Sequence, residues 1–175
     1  MHFVDNSSAP VTLRCSPGQG PGSWKGKGNW TGGIRAVPAP LIEPPPGGPQ
    51  DVMYNDSAWR ILDLPHDYVV EQAPVNQPEW NHGFRPKDVS WYRKHFHLDA
   101  AFSRKNVTLV FEGVFRSSDF WLNGNHIGHH SSGYTSARFE LGPESGALFG
   151  TEKNVLAVRI DPRANEGWWY EVRAS

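Results

Sequence analysis

The chain has 175 residues, a formal charge of −1 at pH 7 and 13% aromatic residues. This length suits one domain and excludes a domain plus an eight-stranded α/β barrel, because the barrel alone takes about 250 residues. The near-neutral charge gives no long-range field that would recruit nucleic acid or acidic lipid, and no run of about 18 apolar residues exists to span a membrane. The aromatic content suits a β-rich core or a surface that stacks on flat ligands.

Cysteine usage and glycosylation motifs bear on the cellular compartment. Cys15 is the only cysteine, which excludes an internal disulfide and any cysteine-based zinc site. The first residues lack a basic region followed by an apolar stretch, so no signal peptide is predicted. Four N-x-S/T motifs, at Asn6, Asn29, Asn55 and Asn106, instead favour a secreted or lysosomal-type parent. These two signals leave the localisation unknown.

Glycine and proline separate an N-terminal part from the rest of the chain. Eighteen of them fall in the first 50 residues and fifteen in the remaining 125. Their runs at 16–22 and 44–49 cannot hold regular structure, because proline lacks the N–H donor and glycine costs entropy. Residues 1–50 are predicted to be an irregular Gly/Pro-rich arm, in which residues 11–13 and Ile34 can still pair with a sheet edge.

Short strands are predicted from Asp56 onward. In 90–98, Tyr92, Phe96 and Leu98 share one face, and this period of two is typical of a half-buried strand. The same reasoning predicts strands at 59–62, 107–111, 135–141 and 153–160. No segment sustains an apolar stripe with the 3.6-residue period of a helix.

A hairpin is predicted where residues 115–122 run into Asn123-Gly124. Both central positions of a type I′ turn take positive φ, which asparagine and glycine adopt readily. Many short strands that need a shared core indicate an all-β jelly roll or sandwich.

Seven short motifs occur in order over roughly residues 56–171. They read DLPHDY at 63–68, HGF at 82–84, WYRKHF at 91–96, FEGV at 111–114, FWLNG at 120–124, GYT at 133–135 and NVLAVRID at 154–161. This ordered set resembles the N-terminal sugar-binding domain of glycoside hydrolase family 2, which contains β-galactosidases, β-glucuronidases and β-mannosidases. The resemblance implies a galactose-binding-like jelly-roll β-sandwich over residues 51–175.

The resemblance also implies domains beyond this one. Family members continue into an immunoglobulin-like domain and then a catalytic barrel, which supplies an acid/base glutamate and a nucleophile glutamate. Retaining hydrolysis needs two carboxyl groups about 5–5.5 Å apart, and no matching pair is found in this sequence. The family's glycine-rich final strand is also absent after Glu171. We therefore expect a non-catalytic domain truncated at its C-terminus, in which the sandwich lacks its last strand.

Candidate substrate-binding residues follow from the same resemblance. It implies that Trp168, Trp169, Tyr170 and Glu171 lie near the barrel mouth and shape the sugar pocket. Aromatic faces stack on pyranose C–H faces, and a carboxylate accepts hydrogen bonds from sugar hydroxyls. The alternative is that these aromatic residues pack between domains.

The polar loop at 81–88 gives a second set of candidates. His82, Arg85 and Lys87 are expected at the rim of the same pocket, because loops carry binding groups on a rigid scaffold. Arg85 stands where the family has an apolar residue. The alternative is that these residues only shape the loop.

No catalytic residue, metal or cofactor is predicted. His66 and Asp67 could be read as a base and its orienting partner, but a proline-ordered turn in which both bond the backbone is the commoner arrangement. Histidines at 95, 97, 126, 129 and 130 are read as polar residues on exposed strand faces. Glu112 and Asp119 are expected in ion pairs, with Arg116 as a partner.

Three functions remain open from the sequence. The favoured one is a sugar-binding and scaffold domain of a retaining glycosidase, whose partners are the immunoglobulin-like and barrel domains and a terminal β-linked sugar. The others are a free-standing carbohydrate-binding module and an inactive, truncated gene product.

Overall fold

The computed structural model describes residues 2–5, 30–34, 44, 46–74 and 88–162. Within these residues the only helical segments are two short 3₁₀ turns, Ala100–Phe102 and Pro143–Ser145. The strands, in chain order, are β1 (His2–Asp5), β2 (Trp30–Ile34), β3 (Arg60–Leu62), β4 (Ser90–Phe96), β5 (Val107–Phe111), β6 (Ser118–Leu122), β7 (Asn125–His130), β8 (Ala137–Glu140) and β9 (Asn154–Ile160). The all-β prediction is therefore confirmed. No helix in the described ranges is long and apolar enough to cross a membrane.

The strands form two antiparallel sheets that share one core. The smaller sheet has the order β1-β5-β8 and the larger one β3-β2-β4-β9-β6-β7. Leu109 from the smaller sheet and Phe120 and Leu156 from the larger one are fully buried in the same apolar cluster. The ring of Phe120 lies 4.6 Å from that of Phe139 on β8. This packing of two sheets over alternating inward residues is the predicted β-sandwich.

The predicted hairpin joins β6 to β7. Asn123 and Gly124 have φ angles of 51° and 84°, which is the left-handed conformation that the turn requires. The Asn123 side chain also tightens this end of the sandwich. Its amide donates to the Gly146 carbonyl at 2.7 Å and its oxygen accepts from the Val155 amide at 2.7 Å.

Strand β4 is buried on both faces, which corrects the half-buried expectation. Tyr92 joins the main core, while Trp91 on the opposite face packs 5.2 Å from Trp121. Arg93 on that second face is fully buried. The reason is that the segment 46–59 lies over this face, and its Asp56 pairs with Arg93 at 3.1 Å.

Two stretches of the predicted irregular arm are strands. Strand β2 lies between β3 and β4, where Ile34 pairs with Ser90, so the expected pairing of Ile34 with a sheet is confirmed. Strand β1 pairs with β5 at the edge of the smaller sheet. Backbone hydrogen bonds hold these two strand pairings together, so the side chains of a glycine-rich stretch do not predict them. The division of the chain near residue 50 stays a prediction, and residues 11–13 and 163–175 lie outside the described residues.

Candidate functional site

The predicted substrate-binding residues lie outside the part of the chain that the structure describes. They fall in two segments, 75–87 and 163–175, and are His82, Arg85, Lys87, Trp168, Trp169, Tyr170 and Glu171. Their roles therefore stay predictions. The described residues nevertheless define where both segments join the sandwich.

The two segments join the larger sheet at neighbouring points. Strand β4 begins at Ser90 and β9 ends at Ile160, and these two residues are paired in the antiparallel ladder. On the other side, Ile160 pairs with Ser118 at the start of β6. We call this end of the larger sheet, defined by Ser90, Ile160 and Ser118, the Ser90 end. Strand pairing thus places the two junctions side by side at one end of the larger sheet, although they are far apart in sequence.

A polar network ties residues 60–71 to β4 near the Ser90 end. The His66 Nδ1 lies 2.8 Å from the Tyr92 hydroxyl, and its Nε2 lies 3.2 Å from a Glu71 carboxylate oxygen. Arg60 donates to the other Glu71 oxygen at 2.6 Å and lies 2.9 Å from the same His66 nitrogen. Asp67 accepts from the Val69 amide at 2.9 Å, as the turn interpretation predicts.

The contacts of His66 partly correct that interpretation. Among the described residues its ring nitrogens contact side chains, namely Tyr92, Glu71 and Arg60, rather than the backbone. A carboxylate does lie beside the imidazole, but it belongs to Glu71 and not to Asp67. Because both ring nitrogens are engaged within the domain, His66 acts here as a structural tie between the turn and β4.

Burial and neighbouring charges shift the pKa values of two tyrosines and one glutamate in and beside this network. Burial raises the pKa of Tyr92, and the nearby Asp67 and Glu71 carboxylates raise it further. Burial likewise raises the pKa of Tyr68, whose hydroxyl donates to the Asp88 carbonyl. The hydrogen bond from Arg60 lowers the pKa of Glu71. The network therefore presents neutral phenols and a carboxylate that is ionised at neutral pH.

An exposed aromatic pair lies close to the Ser90 end, with Phe115 just before β6 and Tyr134 between β7 and β8. Phe115 and Tyr134 meet edge to face, with ring centres 5.9 Å apart and planes at 76°. The Arg116 guanidinium lies 5.2 Å from the centre of the Phe115 ring. The sequence motifs include Tyr134, but the reasoning from sequence did not single out this pair as a site. An aromatic residue directly after Gly133 would have been the sequence signal for this site.

Asp119 forms the expected ion pair, but with a different partner. Its carboxylate lies 3.5 Å from Arg159. It also contacts His126 at 3.2 Å and His129 at 2.9 Å through one oxygen. A bulge at Phe120/Trp121 allows both histidines to reach this carboxylate. The predicted pairing of Asp119 with Arg116 is therefore wrong.

The other histidines each contact an acidic side chain or a backbone carbonyl. His95 contacts Asp56 at 3.0 Å, His97 contacts the Glu152 carbonyl at 3.0 Å, and His130 contacts the Thr135 carbonyl at 3.1 Å. No group of three or more histidine, cysteine or acidic side chains in the described ranges is arranged to hold a metal ion.

Comparison with known proteins identifies the family over most of the chain. The family model described as "Glycosyl hydrolase 2 galactose-binding domain-like" matches residues 60–173. The β-galactosidase BoGH2A of Bacteroides ovatus is 38% identical over 120 residues, which is 66% of this chain and 14% of that protein. A β-galactosidase of Thermoanaerobacter pseudethanolicus is 32% identical over 116 residues, or 65% of this chain and 14% of that protein.

Solved structures give the same match. A glycosyl hydrolase family 2 member from Bacteroides cellulosilyticus superposes with a TM-score of 0.63 at 29% identity, covering 79% of this chain and 17% of that one. A β-glycosidase from Bacteroides vulgatus superposes with a TM-score of 0.62 at 36% identity, covering 77% and 16%. The chain therefore spans about one-sixth of these proteins, within their galactose-binding-like region.

Proposed function

The chain belongs to the galactose-binding-like domain family of glycosyl hydrolase 2, and we propose that it is a non-catalytic sugar-contact and scaffold domain of a retaining β-glycosidase. The observation that carries this proposal is the extent of the match. Residues 60–173 correspond to one domain of the family, while the relatives are about seven times longer than the matched part. We infer that the rest of such an enzyme supplies the chemistry.

The proposed division of labour follows from the reaction. Double displacement at a β-linked sugar needs a nucleophilic carboxylate and an acid/base carboxyl group about 5–5.5 Å apart, and a barrel domain supplies both in this proposal. In contrast, Glu71 and Asp56 here are each held by an arginine, at 2.6 Å from Arg60 and 3.1 Å from Arg93. Carboxylates held in this way serve as structural ion pairs.

We propose that the sugar contacts gather at the Ser90 end. We infer that the rings of Trp168, Trp169 and Tyr170 stack on the sugar and that the Glu171 carboxylate accepts hydrogen bonds from its hydroxyls. We also infer that His82, Arg85 and Lys87 form the rim of the sugar pocket. Support comes from the pairing of Ser90 with Ile160, because the segment 75–87 ends just before Ser90 and the segment 163–175 begins just after Ile160. Binding groups held in place by a rigid sheet reduce the entropy lost when substrate binds. Immunoglobulin-like and barrel domains are the proposed protein partners.

The direct test is an activity assay on the isolated chain. We expect no hydrolysis of nitrophenyl β-galactoside, β-glucuronide or β-mannoside above the buffer rate. An intact family 2 β-galactosidase, assayed in parallel, serves as the positive control. Turnover that stays with the chain through successive purification steps would overturn the proposal.

A free-standing carbohydrate-binding module is the second candidate, favoured by the exposed aromatic residues Phe115 and Tyr134. A module should bind sugar without help, whereas a domain that forms only part of a pocket should bind weakly. Titration with galactose and with galacto-oligosaccharides, followed by calorimetry, separates the two. Saturable binding that tightens with chain length would favour the module.

A further inference from the structure

The His66 imidazole contacts two strands of the larger sheet that are not neighbours. It is largely buried, with 11% of its side chain exposed, and it meets the Tyr92 ring edge to face at 5.7 Å. Its Nδ1 lies 2.8 Å from the Tyr92 hydroxyl on β4, and its Nε2 lies 2.9 Å from Arg60 Nη2 on β3. Because β2 separates β3 from β4 in the sheet, His66 links the edge strand to the strand beyond its neighbour.

The Nε2 atom of His66 has a donor and an acceptor beside it. The donor is Arg60, and the acceptor is the Glu71 Oε1 atom at 3.2 Å. The second Glu71 oxygen accepts from Arg60 at 2.6 Å. Asp67, the next residue in the chain, accepts from the Val69 amide at 2.9 Å within its own turn. Among the described residues, the ionisable side chains that contact the imidazole are therefore Arg60, Glu71 and Tyr92.

The contact with Arg60 decides where the neutral imidazole carries its proton. A guanidinium only donates hydrogen bonds, so the Nε2 atom 2.9 Å from it has to offer a lone pair. One hydrogen of Arg60 Nη2 then serves His66, and the other serves Glu71. The imidazole proton is left on Nδ1 and is donated to Tyr92. Burial raises the pKa of Tyr92, so its phenol stays neutral and its oxygen accepts this bond.

A second proton goes to Nε2 and changes the partner of that atom. Protonated Nε2 cannot accept from Arg60, because two donors would face each other at 2.9 Å. Glu71 Oε1 is the acceptor within reach, and an imidazolium N–H donates to a carboxylate in a strong, charge-assisted bond. The hydrogen bond from Arg60 lowers the pKa of Glu71, which keeps this carboxylate ionised in mild acid, where imidazoles gain their charge.

We propose that His66 is a pH-sensitive link between β3 and β4. In the neutral state Arg60 donates to Nε2 and joins β3 directly to the imidazole. In the protonated state Nε2 donates to Glu71, and β3 is joined to the imidazole only through the Arg60–Glu71 bond. The bond from Nδ1 to Tyr92 is present in both states, so β4 keeps its contact while the edge strand changes partner. This link does not depend on sugar binding or on the proposed function.

The test is to locate the imidazole protons of the ¹⁵N-labelled full chain from the ¹⁵N shifts of both ring nitrogens. At about pH 8, His66 should carry its proton on Nδ1, and at about pH 5 both nitrogens should be protonated. His130 is the internal reference, because its Nε2 lies 3.1 Å from the Thr135 carbonyl and should carry the proton there at about pH 8. A His66 proton on Nε2 at about pH 8 would overturn the proposal.

Variants at Arg60 test what fixes the neutral state. Arg60→Met removes the donor at similar length, so neutral His66 should move its proton to Nε2 and donate to Glu71. Arg60→Lys retains a donor and should keep the proton on Nδ1, and Arg104→Met, at an exposed arginine, should leave His66 unchanged. Thermal unfolding of each variant confirms that it is folded. A proton that stays on Nδ1 in Arg60→Met would contradict the proposed role of Arg60.

The protonated state is tested by the exchange of the Nε2 proton with water at about pH 5. Glu71→Ala should speed this exchange by about tenfold or more, the ratio expected for the loss of one charge-assisted hydrogen bond. The Nδ1 proton, held by Tyr92, should exchange as in the parent chain. Glu152→Ala, at an exposed carboxylate, is the control and should change neither proton. Equal exchange of the Nε2 proton in Glu71→Ala and in the parent chain would overturn the change of partner.

Discussion

The Arg93 Nε donates to Asp56 Oδ2 at 3.1 Å across the outer face of the larger sheet, where the Arg93 side chain is fully buried. Arg93 also donates to the carbonyls of Pro49 and Asp51, and its guanidinium lies 5.5 Å from the Tyr54 ring. These contacts fasten the segment 46–59 over β4. A charge buried so deeply is stable only with its carboxylate and hydrogen bonds in place.

Removing the carboxylate should therefore destabilise the domain. We expect Asp56→Ala to lower the free energy of unfolding by about 3 kcal/mol, since it removes the carboxylate that pairs with a buried guanidinium. Urea unfolding monitored by tryptophan fluorescence measures the change. The control is Asp63→Ala, at an exposed carboxylate for which the described residues provide no hydrogen-bond partner. Its free energy of unfolding should stay within about 0.5 kcal/mol of that of the parent chain. Equal effects of the two substitutions would contradict a special role for the Arg93 pair.

Gly128 on β7 is the second test of the packing. It has a φ of 154°, and a Cβ there would lie 2.5 Å from a carbon of the Phe139 ring. Gly128→Ala should cost about 1–3 kcal/mol, because Phe139 has to shift within the core. Gly47→Ala is the matched control, since Gly47 also has a positive φ, of 76°, and nothing lies within 4 Å of its Cβ position. Thermal unfolding should separate the two variants, and identical midpoints would show that Phe139 packs elsewhere.

The hydrogen bond between Arg60 and Glu71 should make the stability of the domain sensitive to acid. The Arg60 hydrogen bond lowers the pKa of Glu71 below its ordinary value of 4.5, although burial acts in the opposite direction. A lowered pKa in the folded state means that this stabilisation is present above about pH 4.5 and is lost as pH falls through the folded pKa. Glu71→Gln should therefore be less stable than the parent chain at pH 7, and the difference should shrink towards pH 3.

The measurement is urea unfolding of both chains at several pH values between 7 and 3. Glu152→Gln, at an exposed carboxylate without a side-chain partner among the described residues, serves as the control and should follow the parent at each pH. A Glu71→Gln deficit that stays constant down to pH 3 would argue against the Arg60 contact as its source.

Strand periodicity predicted the core face of the sandwich well. Tyr92, Leu156 and Val158 are buried in the shared core as expected, because alternation directly encodes which side chains point inward. Alternation does not encode what covers the other face. The burial of Arg93 depends on Asp56, 37 residues away, and no local pattern announces such a pair.

The candidate site was less accessible to sequence reasoning. The position of His66 depends on Tyr92, 26 residues further along the chain, and on Glu71, which sequence patterns did not connect with it. Residue type alone suggested an ion pair for Arg116, but the fold places its guanidinium beside Phe115 instead. The candidate sugar contacts at 168–171 came from family resemblance, and they stay predictions.

The most direct test of the non-catalytic role is mechanism-based labelling of the chain. A retaining glycosidase forms a covalent glycosyl–carboxylate intermediate, and a 2-deoxy-2-fluoro β-glycoside with an activated leaving group traps it. Incubation with the 2-fluoro galactoside and the 2-fluoro glucuronide should leave the intact mass of this chain unchanged, while an intact family 2 β-galactosidase treated with the galactoside gains one glycosyl group. A glycosyl adduct on an aspartate or glutamate of this chain would contradict the account.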